Sequence, residues 1–119
     1  MDNMGKNNNI SPNEKRHSNN NNTNVSRIKL AGDVLFNFLL ERYRRGIILV
    51  KLSEIEEFLV ERYPDLYPTK SVASYYVTYV AKRLYQKGVI VLSKEIGEKS
   101  YTASLTLNYI DSIFYGKGG

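Results

Sequence analysis

Residues 69–107 read TKSVASYYVTYVAKRLYQKGVIVLSKEIGEKSYTASLTL, and their pattern changes once, at Gly88. Before it, Ala73, Tyr76, Val77, Val80 and Leu84 recur at helical spacing, so one face of a helix spanning Thr69–Lys87 should meet a core. Thr69 or Ser71 can cap its start, and Gly88 can take the left-handed stop. After it, Val89–Ser93 and Tyr101–Leu107 are strand-like. In the second run Tyr101, Ala103, Leu105 and Leu107 alternate with Thr102, Ser104 and Thr106, the period of a strand with one wet face. The loop between them, Lys94–Ser100, carries Gly97. A helix followed directly by a hairpin is therefore expected.

Upstream, Ala31–Arg45 reads as a helix with Asp33 near its start, Arg42, Arg44 and Arg45 near its end, and Gly46 as its stop. Val34, Leu35, Phe36, Phe38, Leu39, Leu40 and Tyr43 cover more of its circumference than one packed stripe needs. Cover is expected on two sides, from this chain or from a second subunit. Ile47–Val50, β-branched and too short for a helix, reads as a strand. Ser53 and Glu56 have capping-box spacing and open a helix that runs to about Arg62 and buries Ile55, Phe58 and Leu59. Its acids Glu54, Glu56, Glu57 and Glu61 argue against its lying along phosphates. Pro64 and Pro68 frame the turn that follows.

The expected class is α+β, mainly α, in the order α-β-α-α-β-β-α. With the capped segment Ser53–Glu56, the turn closed by Pro68, the helix Thr69–Lys87, and Gly88–Leu92 leading to the loop at Gly97, residues 27–119 resemble the small winged helix-turn-helix transcription regulators of bacteria and archaea. The resemblance is one of pattern rather than of a residue signature. It implies that helix 69–87 enters a DNA major groove while the hairpin 89–107, the wing, lies on the backbone or in the minor groove.

The outward face of helix 69–87 has no acid. Lys70, Ser71, Ser74, Tyr75, Thr78 and Lys82 are the candidate recognition residues: small hydroxyls permit close approach, tyrosine reaches base edges and lysine neutralises phosphate. Arg83, Lys87, Lys94 and Lys99 are the candidate phosphate contacts, with Glu95 and Glu98 beside the last two. A neutral-to-basic surface helix and a hairpin that only closes the core are the plainer readings. The outward face lacks Arg and Asn, the residues suited to bidentate base pairing, so modest sequence readout is expected.

Asn108 can cap a last short helix, 108–115, whose Tyr109, Ile110, Ile113, Phe114 and Tyr115 are apolar for a terminus. In the resembled regulators such elements often build a dimer, which makes Phe36, Leu40, Tyr43, Ile110, Ile113 and Phe114 a candidate two-fold interface; packing of this helix on the first within one chain is the alternative. Residues 1–26 hold ten asparagines and few large apolar side chains, and read as a disordered tail. Its Lys6, Lys15, Arg16 and His17 suit either a solvated tail or an arm that tracks DNA.

The net charge of +5 favours an anionic partner, here double-stranded DNA. Cysteine is absent and the lone histidine sits in the tail, so no metal or other cofactor is expected. With no glycine-rich phosphate loop either, no enzymatic role is expected. No run approaches the ~18 apolar residues of a membrane span, and the expected location is the cytoplasm, on nucleoid, plasmid or viral DNA. Beside a regulator, two readings compete: an architectural DNA-coating protein of low specificity, and a winged-helix adaptor that binds other proteins.

Overall fold

The computed structural model describes residues 12–115. Its elements are α1 (Pro12–Arg44), β1 (Val50–Lys51), α2 (Leu52–Arg62), α3 (Lys70–Gln86), β2 (Ile90–Ser93), β3 (Thr102–Leu105) and α4 (Leu107–Phe114). The class is α+β and mainly helical, with a three-stranded antiparallel sheet in the order β1-β3-β2.

Local chemistry sets both ends of α3. The Thr69 hydroxyl accepts from the amide of Val72 at 3.2 Å. At the other end Gly88 has φ +78°, its amide bonds to the carbonyl of Tyr85, and the amide of Val89 reaches back to that of Leu84. Gly46 closes α1 in the same way, with the amide of Ile47 on the carbonyl of Arg42. The hairpin pairs Ile90 with Leu105 and Leu92 with Ala103. Ala103 and Leu105 face the core, as their alternation predicts.

Several boundaries differ from expectation; the strand expected over Tyr101–Leu107, for one, ends at Leu105, and Leu107 opens the last helix. The first helix begins at Pro12 rather than Ala31, so residues 12–26 belong to it. Tyr76 donates its hydroxyl to Asn24 Oδ1 at 2.8 Å, Arg27 donates to the carbonyl of Leu66 at 2.6 Å, and the Tyr67 hydroxyl donates to the carbonyl of Arg27 at 2.6 Å. Contacts of Asn24 and Arg27 with α3 and the turn before it therefore hold the helix around residues 24–27, upstream of the expected start. The remaining tail residues 1–11, and the glycine-rich end 116–119, lie outside the described residues.

The expected strand Ile47–Val50 is reduced to Val50–Lys51, because the amide of Ile47 is committed to closing α1; Ile47, Ile48 and Leu49 are exposed. The Ser53–Glu56 capping box does not form. The helix starts two residues earlier, with the first amide, of Leu52, bonded to the carbonyl of Tyr101 at 2.9 Å, and Lys51 at the cap position offers no side-chain bond. The last helix is capped by Thr106 rather than Asn108: its hydroxyl accepts from the amide of Tyr109 and donates to the carbonyl of Gly88 at 2.7 Å.

The core is formed by Leu35 and Leu39 of α1, Leu52, Ile55 and Leu59 of α2, Tyr67, Val77 of α3, and Val50 and Ile90 from the sheet. The broad apolar surface of α1 is covered on one side by α2 and α3. On the other, α4 of the same chain brings Tyr109 edge-on to Phe36 at 5.7 Å and Phe114 to Tyr43 at 5.8 Å.

Candidate nucleic-acid interface

The outer face of α3 is flanked by α2 at its start and by the hairpin along its length. Ser71, Tyr75, Lys82 and Lys87 are exposed, Tyr75 to 67 %. Ser74 and Thr78 are half-buried. The six candidate recognition residues therefore do not form one equivalent row. Lys82 and Tyr75 stand out into solvent, while Ser74 and Thr78 line a recess.

At the start of α3, Lys70 is paired with Glu57 of α2 at 3.3 Å. Glu56, one turn of α2 away from the core leucines, is only 6 % exposed and hydrogen bonds Ser74. Burial pushes the Glu56 carboxyl above the ordinary carboxylate range, and Lys70 and the Ser74 bond oppose that shift. The acids Glu56 and Glu57 of α2 thus reach the beginning of the outer face of α3.

Farther along, the cations meet a ring rather than a carboxylate. Lys82 Nζ of α3 lies 5.8 Å from the centre of the Tyr101 ring, and Lys94 Nζ from the hairpin loop lies 5.2 Å from the same centre. One aromatic ring at the loop end of the hairpin thereby joins a helix cation to a hairpin cation. A tyrosine face attracts ammonium groups through its quadrupole while leaving their hydrogens free for another acceptor. Arg83 instead turns to its own helix and donates to the Tyr79 hydroxyl at 3.2 Å. Lys87 sits at the C-cap, past the helix end. At the hairpin tip Ile96 is fully exposed, and Gly97 has φ +89°.

Between the start of α2, the first half of α3 and the end of the hairpin loop lies a cleft of about 500 Å³, with Lys51, Glu56, Lys70, Ser74, Lys99 and Ser100 in its lining. The structure thus gathers the predicted residues into two groups: Lys82 with Lys94, and Lys70, Ser71, Ser74, Thr78 with Lys99. Sequence reasoning missed Tyr101, Glu56 and Ser100. For Glu56 a signal existed, since Leu52, Ile55, Glu56 and Leu59 share helical spacing on the buried face. For Tyr101 none did, because its two lysines come from other elements.

Of the candidate dimer residues, Ile110 is buried, and Phe36, Leu40 and Tyr43 are half-buried against the chain's own core. Ile113 and Phe114 remain about 40 % exposed (39 % and 40 %). Among the described residues no group of three His, Cys, Asp or Glu side chains could hold a metal ion, and no helix is long and apolar enough to cross a membrane. No family model, curated protein or solved structure matches the chain.

Proposed function

We propose that the chain is a winged-helix protein that binds double-stranded DNA, as a regulator of modest sequence specificity and not as an enzyme. In this reading α3 enters the major groove and the β2–β3 hairpin serves as the wing. The observation that carries it is the sharing of Tyr101 by Lys82 and Lys94, which makes helix and hairpin one cationic rim. Two features add support. The element order, with β1 pairing to the last strand, suits a winged helix, and α3 contains no acidic residue. Affinity in this reading comes chiefly from phosphates, and so falls steeply with salt.

The cationic rim lies toward the wing, because Lys70 at the other end is neutralised by Glu57. We place the protein on intracellular DNA, in the cytoplasm. A two-fold dimer belongs to the same proposal. Leu107, Ile113, Phe114 and Tyr115 of the last helix region, exposed at 39–78 %, give it an apolar surface. Gel shifts with random-sequence duplex at two salt concentrations test DNA binding. A specific-over-nonspecific ratio above about 10⁵ at physiological salt would refute the modest specificity.

A further inference from the structure

The cleft beside the start of α2 contains one polar atom that the fold leaves unpartnered and one carboxylate that it buries. The Ser100 hydroxyl oxygen is buried without a hydrogen-bond partner, although buried polar atoms are nearly always paired. Glu56 places a carboxylate, 6 % exposed, in the same lining as three lysines. The charged and titratable groups around it are Lys51 from β1, Glu57 from its own helix, Lys70 from α3, and Glu98, Lys99 and Tyr101 from the hairpin. Lys51 and Lys99 appear in no ion pair among the described residues.

We infer that this cleft receives a phosphoryl group, and that Glu56 takes up one proton from solvent when it does so. Ser100 has an unpartnered hydroxyl, which donates once it turns out of its buried position, and Lys51 and Lys99 supply positive charge at the same opening. Ser53 and Ser71 add further hydroxyls to the wall. An ionised Glu56 opposes an anion entering beside it, whereas a protonated one donates a hydrogen bond to a phosphoryl oxygen. No covalent bond changes; one proton is bound with the ligand. Burial already raises the carboxyl toward the protonated state, and a neighbouring phosphate raises it further. The phosphoryl group has two possible sources, the DNA backbone and free phosphate. The first rests on the DNA-binding reading above; the second does not.

The test uses the full chain at constant ionic strength. The ¹³C resonance of the Glu56 carboxyl is followed through a pH titration alone, with inorganic phosphate, and with a short random duplex. Duplex affinity is measured by fluorescence anisotropy between pH 4 and 8 for wild type, Glu56→Gln and Ser100→Ala. Glu56 should titrate at higher pH with ligand present. Wild-type affinity should rise as pH falls, by up to about tenfold per pH unit where Glu56 titrates. Glu56→Gln should bind more tightly than wild type at pH 8 and lose that slope, while any contribution of His17 persists in both proteins. Ser100→Ala should weaken binding severalfold.

Weaker binding by Glu56→Gln, or retention of the full slope, would overturn the inference. If phosphate shifts the Glu56 titration but duplex does not bind, the cleft stands and the DNA reading falls. If duplex binds but neither duplex nor phosphate moves the Glu56 titration, the reading stands and the cleft falls. Should Glu56→Gln fail to fold, the wild-type carboxyl titration decides alone.

Discussion

Lys82 of α3 and Lys94 of the hairpin loop, separated by the whole of β2 in sequence, converge on the ring of Tyr101 at 5.8 and 5.2 Å. If this pair forms the phosphate-binding rim, Lys82→Ala and Lys94→Ala should each weaken duplex binding severalfold for all sequences. Each should also lower the magnitude of the salt slope by about one unit. Lys70→Ala should do less, because Glu57 already neutralises it. Anisotropy titrations at several salt concentrations check the ranking, and equal effects at all three positions would contradict it.

Tyr67 is fully buried and its hydroxyl donates to the carbonyl of Arg27, tying the turn before α3 to the first helix. Tyr67→Phe should cost about 1–2 kcal/mol, measured by urea denaturation. Burial pushes the phenol from its ordinary value near 10 up to about 12. The folded state therefore favours the neutral phenol. This stabilisation is complete below pH 10 and lost as pH rises toward 12. The phenylalanine variant should lack that part of the alkaline destabilisation.

Glu56 gives the corresponding prediction at acidic pH. Its carboxyl is raised, mainly by burial, so its contribution to stability is most favourable below the ordinary value of 4.5 and declines as pH rises through the folded pKa. Glu56→Gln should melt at a higher temperature than wild type at pH 7, with the gap closing toward pH 4. A lower melting temperature at pH 7 would show that the charge of Glu56 is net stabilising.

Gly88 ends α3 at φ +78°, and a Cβ placed there would meet nothing within 4 Å. Gly88→Ala should therefore cost only the left-handed strain, about 1 kcal/mol, seen as a lower urea midpoint. DNA affinity measured well below that midpoint should stay unchanged.

Self-association can be separated from folding at Ile113, which is 39 % exposed on α4. Ile113→Glu should leave the circular dichroism spectrum intact and lower the dimer fraction in sedimentation velocity. A monomeric wild type at all concentrations would remove the dimer from the account.

The helix α3 and the hairpin were legible because their signals are local. Thr69 and Gly88 punctuate the helix within a residue of the expected ends, and the alternation through Ala103 and Leu105 points to the buried strand face. The start of α1 was not legible, since bonds from Tyr67, Arg27 and Tyr76 span about forty residues or more. Nor was the start of α2, where the carbonyl of Tyr101 takes the amide that a capping box would leave free. The candidate site divides in the same way. Its lysines are visible in sequence, but whether each meets a carboxylate, a ring or open solvent is decided by neighbours from other elements. Lys70 and Lys82 lie on one helix and have opposite surroundings for that reason.

The most direct test of the central claim is the affinity of the full chain for a random 20-base-pair duplex at 50 and 200 mM salt, pH 7. The account predicts saturable binding at the lower salt that weakens by at least about tenfold at the higher, with the loss reduced in the Lys82→Ala, Lys94→Ala double variant. No binding at 50 mM salt, or binding that salt and the double variant leave unchanged, would contradict it.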